Sequence, residues 1–161
     1  MKKLQMLFLA TIIGALLLAG CSGGNSDQAE PGVTANEMVD EMLMQVEQPA
    51  MMELTTDQVK EIYNIDPEML EEYAIRIPMM NVKTNEIAIL KVKNEADVPK
   101  VEEALKQRAE NVQKQFETYL PDQYENAKNY QLVTKGNYVL FVISEQADEL
   151  ISVYDTFFTQ Q

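Results

Sequence analysis

The side chain with the most defined chemistry in this sequence is the thiol of Cys21, the only cysteine among 161 residues. It directly follows Leu18-Ala19-Gly20, at the end of an apolar run that opens with Met1-Lys2-Lys3. Thioether formation needs a thiol at the cleavage point, and small residues at 19 and 20 let a peptidase approach. The stretch Leu18 to Cys21 therefore reads as a lipobox, with cleavage between Gly20 and Cys21 and lipid on the Cys21 sulfur. Met6 to Ala19 would reach roughly 22 Å as a helix, short of a ~30 Å hydrocarbon core. A charged start, a short apolar middle and a small-residue end describe a secretory signal rather than a membrane span. Two acyl chains (palmitate or similar) on Cys21 suffice for stable anchoring, where one is marginal.

Other chemistry is sparse. There is no histidine, and lipidation consumes the one thiol. Ser-His-Asp and Cys-His catalysis and the usual zinc and haem sites are thereby removed. No P-loop, G-x-G-x-x-G or EF-hand pattern occurs, and neither cofactor nor metal is expected. The adjacent carboxylates Glu71-Glu72, Glu102-Glu103 and Asp148-Glu149 allow an enzyme built on acids alone. On helices, however, adjacent residues diverge, and solvated charge is the plainer reading.

Methionine is the compositional oddity, with ten in the chain. Thioethers suit Cu(I), and Met38 and Met42 would share a helix face. Methionine also fills irregular gaps in cores and forms adaptable surfaces. Met51-Met52 and Met79-Met80 fall in predicted loops beside prolines. Exposed, they would make a soft apolar patch for a protein or peptide; buried, they would close one end of the core, which is the favoured expectation.

These residues divide the chain into a signal peptide at 1–20, a lipidated tether at 21–33 and one domain at 34–161. The tether, with Ser22 to Pro31 reading SGGNSDQAEP, has no apolar periodicity and should be a flexible linker. Removing residues 1–20 takes two lysines and no acid, leaving 11 basic and 26 acidic side chains and a net charge of −15. Nucleic acid and anionic headgroups repel such a surface, so the membrane contact must run through the lipid on Cys21.

Punctuation in the domain is clear. Thr34-Ala35-Asn36-Glu37 is a capping box, opening a helix to about Val46. Thr55-Thr56-Asp57-Gln58 repeats the arrangement for a helix to about Tyr63. Asp66 caps a short turn with Pro67 in its first position. Tyr73 to Ile77 alternates and stops at Pro78, which suits an edge strand. Glu86 to Lys93 is a denser apolar strand. Val101, Leu105, Ala109, Val112 and Phe116 recur at helical spacing within a helix from about Val98 to Leu120. Gly136-Asn137 predicts a type II′ turn between strands Tyr130–Lys135 and Tyr138–Ser144. A last helix runs from Glu145 to about Phe158.

The order ααββαββα predicts an α+β domain: a four-stranded, mostly antiparallel sheet in the order 1-2-4-3, with helices on one face. Both sides of Tyr138–Ile143 are apolar. The two N-terminal helices are expected to cover the side that would otherwise point to solvent.

The chain also resembles a family of small lipoproteins of Gram-positive bacteria carrying a domain of unknown function (number 4358). The resemblance covers about residues 35–158. It rests on Asn64-Ile65-Asp66, on Glu86-Ile87-Ala88-Ile89 with Lys91-Val92-Lys93, on Arg108, on Tyr119-Leu120-Pro121 and on Lys135-Gly136-Asn137-Tyr138. It implies a lipid-anchored protein and brings no activity and no catalytic residues.

The expectation for function is a lipoprotein on the extracytoplasmic face of the cell membrane. It would be a non-catalytic binding or accessory protein for an envelope protein or peptide, with Met51, Met52, Met79 and Met80 as the candidate interaction patch. A carboxylate-based enzyme and a cation- or copper-handling protein are the alternatives.

Overall fold

The computed structural model describes residues 30–159. Helix α1 spans Ala35–Gln45, and its capping box is complete: Thr34 Oγ1 accepts from the Glu37 amide at 3.3 Å, and the Glu37 carboxylate accepts from the Thr34 amide at 2.8 Å. Helix α2, Thr56–Tyr63, opens in the same way, with Gln58 Oε1 accepting from the Thr55 amide at 2.9 Å. Asn64 ends α2 in the left-handed region at φ 54°, where a C-terminal cap is cheapest for Gly or Asn. Asp66 then caps the Pro67–Met69 turn.

The sheet has five antiparallel strands: β1 Met51–Glu53, β2 Leu70–Pro78, β3 Glu86–Val92, β4 Gln131–Lys135 and β5 Tyr138–Ile143. Their order is β1-β2-β3-β5-β4, which overturns the expectation of four strands in the order 1-2-4-3. The added strand is β1, a segment read from sequence as loop. It pairs Met51 with Pro78, Met52 with Ile77 and Glu53 with Arg76, so β2 is interior and not an edge. Three residues are too few to display a two-residue period, which is why only the partner reveals the strand. Pro78 has no N–H to donate, and the Met79 amide takes over, bonding to the Ala50 carbonyl at 2.9 Å.

Helices α3 (Val98–Phe116), α4 (Pro121–Lys128) and α5 (Ala147–Thr156) complete the described chain. They do not lie on one face as expected. Ala88, Leu90, Val139, Phe141 and Ile143 form one core with Val59 and Tyr63 of α2 and with Val101, Leu105 and Val112 of α3. The alternate residues Ile87, Ile89, Leu140 and Val142 form a second core with Met38 and Met42 of α1 and with Leu150 and Tyr154 of α5. The two strands apolar on both sides are thus sandwiched between helical layers. Of the two N-terminal helices, α1 covers the second face and α2 joins the first, so the pair is split across the sheet.

Gly136 and Asn137 form the two-residue connection between Lys135 and its partner Tyr138. Gly136 has φ +57° and Asn137 is outside the positive region, the pattern of a type II′ turn.

Candidate functional site

Three consecutive polar residues, Thr84, Asn85 and Glu86, enter β3 and are all buried. Buried polar groups need partners, and each of these finds them on a different element. The Thr84 amide donates to Gln123 Oε1 at 2.9 Å, and Asn126 Nδ2 donates to Thr84 Oγ1 at 3.0 Å, tying the end of the β2–β3 loop to α4. Asn85 projects the other way and donates to Gln48 Oε1 at 3.0 Å, an atom that also accepts from Ser144 Oγ at 3.1 Å.

Glu86 turns toward α3 and is only 1 % exposed. Arg108 donates to it from Nε at 3.0 Å and from Nη2 at 2.7 Å, while the Tyr63 hydroxyl donates to Oε1. The Arg108 guanidinium also lies over the Tyr63 ring, 5.5 Å from its centre. Burial, followed by the neighbouring Glu86 charge, pushes the Tyr63 phenol well above its ordinary value. For Arg108, burial is the largest influence and works against the charged form, but the Glu86 charge, the hydrogen bonds to Glu86 and the contact with Tyr63 together outweigh it, and the net direction is upward. Both oxygens of Glu86 are therefore committed to donors, and this carboxylate is a structural anion rather than a free base.

Glu86 and Arg108 line a cleft of about 140 Å³ between the β2–β3 loop and α3. Its walls are Ile77, Pro78, Met80, Val112 and Phe116, with Asn81, Lys83, Thr84 and Gln115 as the polar part. A larger groove of about 470 Å³ lies between α1 and α5, but its acids are Glu37 and Glu41, and Glu37 is already spent on capping. A further groove, lined by Glu47, Gln48, Lys83, Asn85, Ser144 and Glu145, is polar with two acids, whereas the α3 cleft joins convergent polar groups to apolar walls.

Gly20 and Cys21 lie outside the described residues. Met51 is half-buried against the α1 core, with Met52 beside it on β1. Met52, Met79 and Met80 are 41 %, 64 % and 60 % exposed, so the expectation that these methionines close the core does not hold for them. Met38 and Met42 are wholly buried in the α1 core. The adjacent acids Glu71 and Glu72 sit at an irregularity in the pairing of β2 with β3 instead of lying on a helix; Glu71 pairs with Lys91 at 3.1 Å, and Glu72 accepts from the Ala35 amide at 3.0 Å. Among the described residues, no group of three metal-ligating acids converges.

The sequence alone singles out neither Tyr63, Glu86 and Arg108 as one cluster nor Lys83 as its neighbour. The signals were present: an acid heading an apolar strand, and an arginine at the edge of the Leu105-Ala109-Val112 stripe. Neither says which charge meets which across the fold.

At the opposite end of β3, Lys91 pairs with Glu30 at 3.1 Å and lies 5.1 Å from the centre of the Tyr138 ring. The start of the described chain is thus pinned five residues along β3 from Glu86, about 17 Å away at strand rise.

A family model described as a domain of unknown function (DUF4358) matches residues 44–144. That span includes β1 through β5, the Tyr63–Glu86–Arg108 cluster and all residues of the α3 cleft. It omits most of α1 and all of α5. No curated protein and no solved structure matches the chain.

Proposed function

The chain belongs to this DUF4358 family, whose description carries no activity, and from the site itself we propose a non-catalytic binding or accessory protein of the cell envelope, lipid-anchored through Cys21. The observation that supports this reading is the separation of two ends of one strand. Glu30, nine residues after Cys21, is held at the Lys91 end of β3, while the exposed Met79 and Met80 and the α3 cleft sit at the Glu86 end. An anchor at 21 would keep the first side nearer the membrane and leave the second free to face outward. Exposed methionines adapt to a partner's shape without a fixed rotamer. Commitment of Glu86 to three donor groups argues for recognition over acid–base chemistry.

Two experiments test this. Metabolic labelling with a fatty-acid analogue should mark the native chain and not Cys21→Ala; label kept by the variant removes the lipoprotein reading. A photo-crosslinking residue placed at 79 or 80 should capture an envelope protein or peptide in intact cells, and one placed on the outer face of α3 at Glu103 should not. Equal capture from both positions, or from neither, removes the binding end.

A further inference from the structure

The α3 cleft is a cationic spot on a strongly acidic protein. Its lining holds two positive side chains, Lys83 and Arg108, and one carboxylate, Glu86. Glu86 is already neutralised by Arg108 at 2.7 Å. Lys83 is exposed and pairs with no carboxylate among the described residues. Every other residue of the lining is neutral.

Arg108 has donors left over. Nε and Nη2 are used on Glu86, while Nη1 donates no hydrogen bond among the described residues and is not sealed from solvent. A guanidinium held rigid on one edge and free on another is pre-organised for a second anion. The Lys83 ammonium on the loop supplies the charge that Glu86 cancels on Arg108.

The walls and the size restrict the ligand. Ile77, Pro78, Met80, Val112 and Phe116 make the sides apolar. A volume of about 140 Å³ holds the equivalent of roughly five waters at ~30 Å³ each, well below the 300–1,000 Å³ of cofactor and drug sites. The fit is to a single carboxylate on a short aliphatic body. Apolar surface also continues outward, because Met80 lines the cleft and is itself 60 % exposed, with Met79 next to it at 64 %. A free short acid would leave that surface uncovered, whereas the residues preceding a chain terminus would lie on it.

We infer that this cleft captures the C-terminal carboxylate of a peptide ending in an aliphatic residue, with Lys83 and the free edge of Arg108 on the carboxylate and Met79 and Met80 under the preceding residues. The inference rests on the binding-protein reading and names the partner's chemistry. Terminal-carboxylate capture is a recurrent mode of peptide recognition, here built from side chains.

Calorimetric titration of the full chain in detergent micelles tests it, with three probes: acetyl-Ala-Ala-Leu as the free acid, the same peptide as its C-terminal amide, and 4-methylpentanoate. The free acid should bind, the amide and 4-methylpentanoate at least about tenfold more weakly, and Lys83→Glu should weaken the free acid by at least about tenfold. Glu117→Gln, outside the cleft, should leave affinity unchanged. Arg108→Lys should weaken binding too, but it also loosens Glu86, so Lys83→Glu is the deciding variant. Equal binding of acid and amide, undiminished binding by Lys83→Glu, or no binding up to about 10 mM overturns the inference. Binding of 4-methylpentanoate as tight as that of the peptide overturns the peptide occupant. A partner crosslinked in cells from position 79 or 80 whose capture does not need a free C-terminus would leave the binding reading standing and remove only this step.

Discussion

Arg108 of α3 grips Glu86 of β3 through both Nε and Nη2, at 2.7 to 3.2 Å, with Glu86 removed from water. The contact joins helix to sheet in the lining of the cleft. A buried pair of this kind is weak evidence of net stability but is costly to break on one side only.

Glu86→Ala should therefore destabilise the domain by about 3–5 kcal/mol, because it strands the Arg108 charge and the Tyr63 hydroxyl. The triple replacement Tyr63→Phe, Glu86→Leu, Arg108→Met removes every member at once and should cost less than Glu86→Ala alone. Urea unfolding of the two variants checks the order, and a triple variant less stable than the single one would contradict it.

Tyr63 predicts the alkaline limb. Its phenol is raised in the folded state, by burial and then by Glu86, so the unfolded chain releases this proton first. The stability it contributes is fully present below about pH 10, the unfolded tyrosine value, and is lost as pH rises toward the folded value. Tyr63→Phe should lower stability near neutrality by about 1.5–3 kcal/mol, through the lost bond to a charged acceptor. It should also flatten the decline above pH 10 by up to about 1.4 kcal/mol per pH unit. Parallel stability curves for the two proteins from pH 9 to 11 would rule this out.

Tyr154 makes the opposite prediction. Its hydroxyl is buried beside the α1–α5 core with no partner among the described residues, and burial raises its pKa. An unsatisfied buried hydroxyl costs about 1–3 kcal/mol, so Tyr154→Phe should raise the Tm. The ring keeps its packing against Phe158, 4.9 Å between centres. A lowered Tm would show that the hydroxyl is satisfied in solution.

Gly136→Val should destabilise through the backbone alone. Nothing lies within 4 Å of where a Cβ would sit, so no clash contributes, but φ +57° is a conformation that β-branched residues resist. A loss of about 1–2 kcal/mol is expected, and an unchanged thermal midpoint would mean that the turn relaxes to another type.

Local chemistry was legible from the residues themselves. The two capping boxes, the Asp66-Pro67 turn, the Gly136-Asn137 turn and the stripe of α3 each depend on neighbours within four positions, and each is written in residue types. Strand β1 was not legible, because three residues have no period of their own and exist as strand only against Pro78, Ile77 and Arg76. The layering was not legible either. An apolar strand such as Tyr138–Ile143 says that both faces must be covered, but not which helix covers which, since any amphipathic helix satisfies either face. That choice put α2 with α3 and left α1 with α5. The cleft follows from the same choice: Tyr63, Glu86 and Arg108 are 22 and 23 positions apart, and sequence has no term that pairs a charge on a strand with one on a helix. Tertiary structure decides it, because a buried carboxylate survives only where the packing brings donors to it.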